Sequence, residues 1–200
     1  METTQLSIKL IQKHCTSILM QSRCAEFPFH DLEHTKEVIA NIKFLGKQLK
    51  VSKKELFILE IAAWFHDIGF SETYKEHKDV SKKIATVFLI SYELEQTTIE
   101  AILDCIEATK MSQSPESNLA KILCDADLFH IATPDFFYRK LLLRREWEIF
   151  CDIKSSDLER HQLNLAFLKN DIFCTFYGKD ILEVQKKENL KKVSRILNYY

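Results

Sequence analysis

The chain has 200 residues, a size at which one domain buries roughly 70% of the surface its unfolded form exposes, so folding requires neither disulfides nor a structural metal. Hydrophobic residues make up 46%, with only 3 Gly and 3 Pro, which argues against long disordered segments and turn-rich β folds and favours helices on short connections. A net charge of −1 excludes the electrostatic footprint of a nucleic-acid duplex or a membrane surface, whereas a small phosphorylated ligand needs only a locally basic pocket.

The opening METTQLSIKLIQKH is polar and periodic, without the apolar core of a secretory leader, and no stretch approaches the ~20 apolar residues that span a bilayer. Six scattered cysteines without a C-x-x-C pair read as reduced thiols, so the expected location is the cytoplasm. Leu6, Leu10, Ile11, Ile18 and Leu19 give a first helix, which Phe27-Pro28-Phe29 breaks. Asp31 is the expected N-cap of a second helix, in which Val38, Ile39, Ile42, Leu45 and Leu49 recur at three- and four-residue steps. Val51-Ser52 opens a third, apolar nearly all round from Leu56 to Phe65 and therefore expected mid-core, with Gly69 as a left-handed stop.

Further helices are expected at about 77–90, 95–109 and 117–127, with the Ser-rich stretch 111–118 as the clearest loop. Thr133-Pro134 reads as N-cap and first turn of a Phe-rich helix carrying Phe136, Phe137, Leu141, Leu142 and Trp147. Two more follow at about 157–169 and 179–198; in the last, Lys186-Lys187-Glu188 and Lys191-Lys192 read as a solvated face. The fold class is all-α.

Chemistry concentrates at His66-Asp67, at the end of the most apolar helix and inside AAWFHDIGF. A buried carboxylate beside an imidazole costs several kcal/mol unless it is paired or bound to a cation. A capping Asp beside a backbone-satisfied His is the bland alternative. His30 and His34 stand at i and i+4, which would put both imidazoles on one side of the second helix. Asp127, in ILCDADLF, is again an acid bracketed by apolar residues. Each feature alone is more often incidental; together they form the mixed imidazole and carboxylate set that suits a borderline or hard divalent ion.

The pattern His34, His66-Asp67, Asp127 resembles the H…HD…D signature of the HD-domain superfamily of metal-dependent phosphohydrolases. FHDLEHTKEV, AAWFHDIGF and ILCDADL are similar to its successive motif blocks, and DFFYRKLLLRREWE and KKENLKKV to later stretches of stand-alone bacterial members, so the likeness runs from about residue 25 onward. It implies a compact multi-helix bundle over 1–200, with a metal-binding core at about 25–130 and a helical extension at about 131–200. It further implies His34, His66, Asp67 and Asp127 as metal ligands, Asp67 also serving catalysis, around a divalent ion left open among Mn, Mg, Fe, Co and Zn. Such an ion would offset the carboxylates, acidify water and polarise a phosphoryl oxygen.

His30, one turn ahead of the first ligand, is similarly placed to the leaving-group acid of cyclic-nucleotide phosphodiesterases, with Asp31 where those enzymes carry Asn. His77, Lys110, Arg139 and Arg144, with Arg145 beside it, are the expected substrate contacts; each is alternatively a solvated side chain. Cys124, Asp125 and His130 flank Asp127 as candidates for supporting roles. After Asp67 the chain reads Ile-Gly-Phe-Ser-Glu, lacking both the acidic pair of stringent-response hydrolases and the second close His of bimetal phosphodiesterases, so one ion is expected. The implied activity is hydrolysis of a small, nucleotide-like phosphate ester. The competing readings are a regulatory module that binds a nucleotide without turnover and a helical protein whose polar cluster is structural. The Phe-rich and last helices either pack internally or form a homodimer face.

Overall fold

The computed structural model describes residues 6–200; residues 1–5, part of the polar opening, lie outside the described residues. The regular elements among those described are helical: α1 (Ile8–Gln21), α2 (Leu32–Gln48), α3 (Lys53–Phe65), α4 (His77–Ile90), α5 (Gln96–Ala108), α6 (Asn118–Asp127), α7 (Phe136–Phe150), α8 (Asp157–Asn170) and α9 (Glu183–Leu197), with short 3₁₀ turns between them and a π-helical turn, Gly178–Leu182, leading into α9. No helix is long and apolar enough to cross a membrane.

The first six helices share one apolar cluster, and α3 is its axis. Ser52 caps α3 and Glu55 closes a reciprocal capping box, so the helix start is fixed locally. Its residues 58–65 are all buried, and it packs against α1, α2, α5 and α6. An all-round apolar helix has no face to give to water, and beyond its exposed first turn, Lys53 to Glu55, this one gives none. In α2 the side chain of Asp31 accepts from the His34 amide at 2.8 Å, while Val38, Ile42 and Leu45 turn inward.

A second apolar cluster joins the 3₁₀ turn Leu128–Ala132 to α7, α8 and α9 through Phe136, Leu168, Phe173, Leu182 and Val193, and Phe129 and Tyr177 touch both clusters. Asp125 ties the two together. Its carboxylate accepts from the Cys174 and Thr175 amides at 2.7 and 2.9 Å and from the Thr175 hydroxyl at 2.6 Å.

Several local expectations are corrected. The third helix stops at Phe65, and Gly69 lies in the 3₁₀ turn Ile68–Ser71 without a positive φ. Its constraint is space: a Cβ there would sit 1.9 Å from the His77 carbonyl oxygen, so glycine is what lets the start of α4 close onto this turn. Thr133-Pro134 forms a turn after Leu128–Ala132, and α7 starts only at Phe136, with Asp135 as its cap residue. His30 precedes the N-cap Asp31, so it does not share a helix face with His34. Lys186 is buried rather than solvated, because its ammonium donates to the Asp171 carbonyl and to Glu183; Lys187, Glu188, Lys191 and Lys192 are exposed.

Candidate metal centre

Three helix ends meet at one point. α2 brings His34 from its first turn, α3 delivers His66 as its C-cap residue with Asp67 next, and α6 ends at Asp127. Asp67 Oδ2 lies 3.5 Å from His34 Nε2 and 3.2 Å from His66 Nε2. Asp127 Oδ1 lies 3.2 and 3.7 Å from the same two nitrogens. Donors about 2.1 Å from a shared centre stand about 3.0–3.4 Å apart in octahedral or tetrahedral arrangements; two of these separations fall in that range, and those of 3.5 and 3.7 Å lie just above it. One donor atom each from His34, His66 and Asp127 fits within 4.8 Å of the others.

The donor chemistry fits a cation as well. Both Nε2 atoms are buried without a hydrogen-bond partner, a cost that a metal bond would remove. His66 Nδ1 sits 2.7 Å from the Ala63 carbonyl, which holds the ring proton on that side and leaves Nε2 a lone pair aimed at the centre. His34 differs, because Arg139 Nη2 stands 3.1 Å from its Nδ1. A donor there puts the ring proton on Nε2, so ligation through Nε2 requires the proton to change sides and Arg139 to lean on Glu37, 3.4 Å away, and the Phe29 carbonyl.

Two carboxylates, Asp67 buried and Asp127 partly exposed to the cavity, dominate the electrostatics. Burial alone would lower the histidines, but the Asp67 and Asp127 carboxylates beside their Nε2 atoms reverse the effect and raise both, His66 to about 9. For Asp67 and Asp127 burial opposes ionisation, and the surrounding cationic groups hold both well below the usual carboxylate range. One compensating charge is Lys78, itself buried, whose ammonium donates to Asp67 Oδ1 at 2.6 Å. Gln113, from the Ser-rich loop, reaches Asp127 Oδ2 at 3.4 Å.

The centre opens into a cavity of about 610 Å³, with Asp67 and Asp127 in its wall. His30 and His77 line it too, both stacked on Phe70 with ring centroids 4.3 and 3.6 Å away. His77 Nε2 approaches Asp67 Oδ1 at 3.4 Å, and burial lowers its pKa. Lys110 is at the cavity edge, half-exposed and shared with Asp79 and Glu107.

The arginines expected as substrate contacts stand away from the cavity. Arg139 lies behind His34, its guanidinium over the Phe29 ring at 4.4 Å, and does not line the cavity. Arg144 is drawn to Glu148, Asp157 and the Ser155 carbonyl, also away from it, and Arg145 is exposed. The cause is helical phase: on α7 the cavity-facing residues are Lys140, Leu143 and Trp147. Asp125 likewise turns from the centre to the C-terminal segment, Cys124 donates to the Ala108 carbonyl, and His130 lines the cavity.

Sequence reasoning missed Lys78, Glu146, Tyr74, Lys140 and Arg160. Glu146 is fully buried on α7 and accepts four hydrogen bonds: from the Phe29 and His30 amides at 2.8 and 2.9 Å, from His30 Nδ1 at 2.5 Å, and from the Tyr74 hydroxyl at 2.9 Å. Burial raises its pKa, yet the hydrogen bonds and charge of His30 leave it lowered. An acid among Leu142, Trp147 and Phe150 was the only signal in the sequence.

The sequence model of the HD domain matches residues 31–132, the span that holds all four converging side chains. No curated protein matches the sequence. Among solved structures, Bacillus subtilis YpgQ in complex with ADP aligns at 18% identity over 96% of this chain and 94% of that one, with a TM-score of 0.67. A predicted HD superfamily hydrolase from an uncultured Thermotogales bacterium aligns at 19% identity over 94% and 91%, with a TM-score of 0.63. The Lin1889 protein of Listeria innocua aligns at 18% identity over 96% of both chains, also at 0.63. At these identities the likeness establishes a shared all-α fold.

Proposed function

The chain belongs to the HD-domain family, and from that premise we propose that it hydrolyses small phosphate esters, nucleotides foremost, with a divalent cation held by His34, His66, Asp67 and Asp127. The observation that carries this reading is the pair of buried, unpartnered Nε2 atoms facing two carboxylates at the wall of an open cavity. When bound, the cation supplies Lewis acidity: it acidifies water and withdraws charge from the phosphoryl group.

The remaining roles fall to side chains of this cavity. Glu146 holds His30 by its Nδ1 and leaves Nε2 as the ring's other proton-carrying atom. In this reading His30 gives its proton to the leaving oxygen as the P–O bond breaks, and Glu146 is a positioning residue that stabilises the imidazolium before transfer. In this reading His77 and Lys110, which line the cavity, donate to non-bridging phosphoryl oxygens. Met111, Leu128 and Leu143 add an apolar part to the lining, suited in this reading to a nucleobase. The ADP held by YpgQ, a protein of the same fold, supports a nucleotide ligand.

A panel of phosphate mono- and diesters assayed with Mn²⁺ tests the reading. Turnover of at least one member, lost on Asp67→Asn, is expected. Nucleotides that raise the melting temperature while none is hydrolysed would replace this reading with the regulatory one.

A further inference from the structure

Two buried cations in the cavity lining have no role in the reading above. Lys140 on α7 and Arg160 on α8 are 8% and 7% exposed, and both line the cavity. Among the described residues neither has a carboxylate within 4.0 Å, in contrast to Lys78 on Asp67 and Lys186 on Glu183. Arg160 donates only to the Ser155 hydroxyl, and its Nε is buried without a partner. Lys140 has no hydrogen bond; its ammonium rests over the Phe167 ring at 3.5 Å, and Arg160 covers Trp147 at 5.1 Å. Aromatic faces offset part of the cost of a buried cation, but they do not neutralise it. Burial, with the charge of Arg160 added, outweighs the more distant carboxylates of Asp171 and Asp127 and pushes the Lys140 ammonium down to about 7.

We propose that Lys140 and Arg160 form a second anion subsite in the α7–α8 wall, so that the preferred ligand carries a second oxyanion besides the group presented to the metal centre. This rests on the hydrolase reading only for the identity of the first group. Asn164, one helical turn after Arg160 on α8, buried and also lining the cavity, offers an amide to the same oxyanion. The aromatic rings beneath the two cations keep water from competing and hold the charges in place. The subsite therefore selects ligands by charge count at the end away from the scissile bond. Arg139 and Arg144, though adjacent in sequence, are already committed to protein partners and add nothing to it.

The test is calorimetric binding of AMP, ADP and adenosine 3′,5′-bisphosphate to the full chain in EDTA, repeated on Lys140→Met, Arg160→Met and Lys140→Arg. At least one ligand with two phosphoryl groups is expected to bind wild type ten-fold or more tighter than AMP, an advantage that shrinks to within two-fold in either Met variant and returns in Lys140→Arg. Whether ADP or the 3′,5′-bisphosphate holds the advantage tells a contiguous oxyanion from a separated one. Melting temperature is the second readout: an uncompensated cation replaced by Met leaves it unchanged or raises it. No advantage in wild type, an advantage retained in Lys140→Met, or a lowered melting temperature with no return in Lys140→Arg would overturn the subsite. An advantage that persists in Asp127→Asn, a variant unable to hold the metal, separates this result from the fate of the hydrolase reading.

Discussion

Asp67 carries two charges' worth of work on two oxygens: Oδ1 neutralises Lys78, and Oδ2 faces His34 and His66. Asp67→Asn therefore leaves a buried ammonium unpaired, and a loss of about 3–5 kcal/mol in urea unfolding is expected. Adding Lys78→Met to that variant should recover most of the stability and none of the hydrolysis, which separates the two roles. Glu146→Gln keeps the shape of the side chain but removes the charge that opposes an imidazolium at His30. Turnover should fall roughly 10²-fold at unchanged KM, as is usual for impaired general acid catalysis; a variant as active as wild type would remove His30 from the proton-transfer role. The ligand set was legible because His66-Asp67 and Asp127 break apolar runs, and a charge in such a place needs a reason. Glu146 and Lys78 were not, because their partners lie 116 and 11 residues away and only tertiary packing brings them together.

At the scale of elements, helix identity was readable and termini were not. The period of α2 and the capping box of α3 are local properties, so their sequence carries them. The stop at Phe65 is decided by α4 closing on the Ile68–Ser71 turn, a contact that no local pattern encodes. Gly69 makes that closure possible, and its amide also donates to the Ser81 hydroxyl at 2.9 Å. Gly69→Ala should push α4 away by forcing Cβ against the His77 carbonyl, lowering stability by roughly 1–3 kcal/mol. Because His77 and Lys78 open α4, the same change should weaken metal affinity, measurable by Mn²⁺ titration, although residue 69 touches no ligand. An Ala variant with wild-type stability and affinity would mean that the turn is not a fixed support. The phase of α7 was equally hidden: charged and apolar residues alternate around it without a single apolar face, so the pattern could not say whether Arg139 or Lys140 faces the cavity.

For the whole molecule, a cation at this centre would tie together α2, α3 and α6, helices also joined by apolar packing, by the Lys43–Glu60 ion pair and by the Asn41 amide on the Ala126 carbonyl. Its binding is coupled to protons. Below a pH of about 9 His66 carries its proton in the field of the two aspartates, and His34 is shifted in the same direction. Ligation needs both imidazoles neutral, so binding at pH 7 releases protons, and affinity rises with pH until about 9 and then levels off. Mn²⁺ titrations at pH 7 in two buffers of different ionisation enthalpy should give different apparent heats; equal heats would contradict this. The most direct measurement is anomalous diffraction from crystals soaked in MnCl₂. The account predicts one strong peak within about 2.0–2.4 Å of His34 Nε2, His66 Nε2, an Asp67 oxygen and an Asp127 oxygen. A peak elsewhere, or none at saturating Mn²⁺, would contradict it.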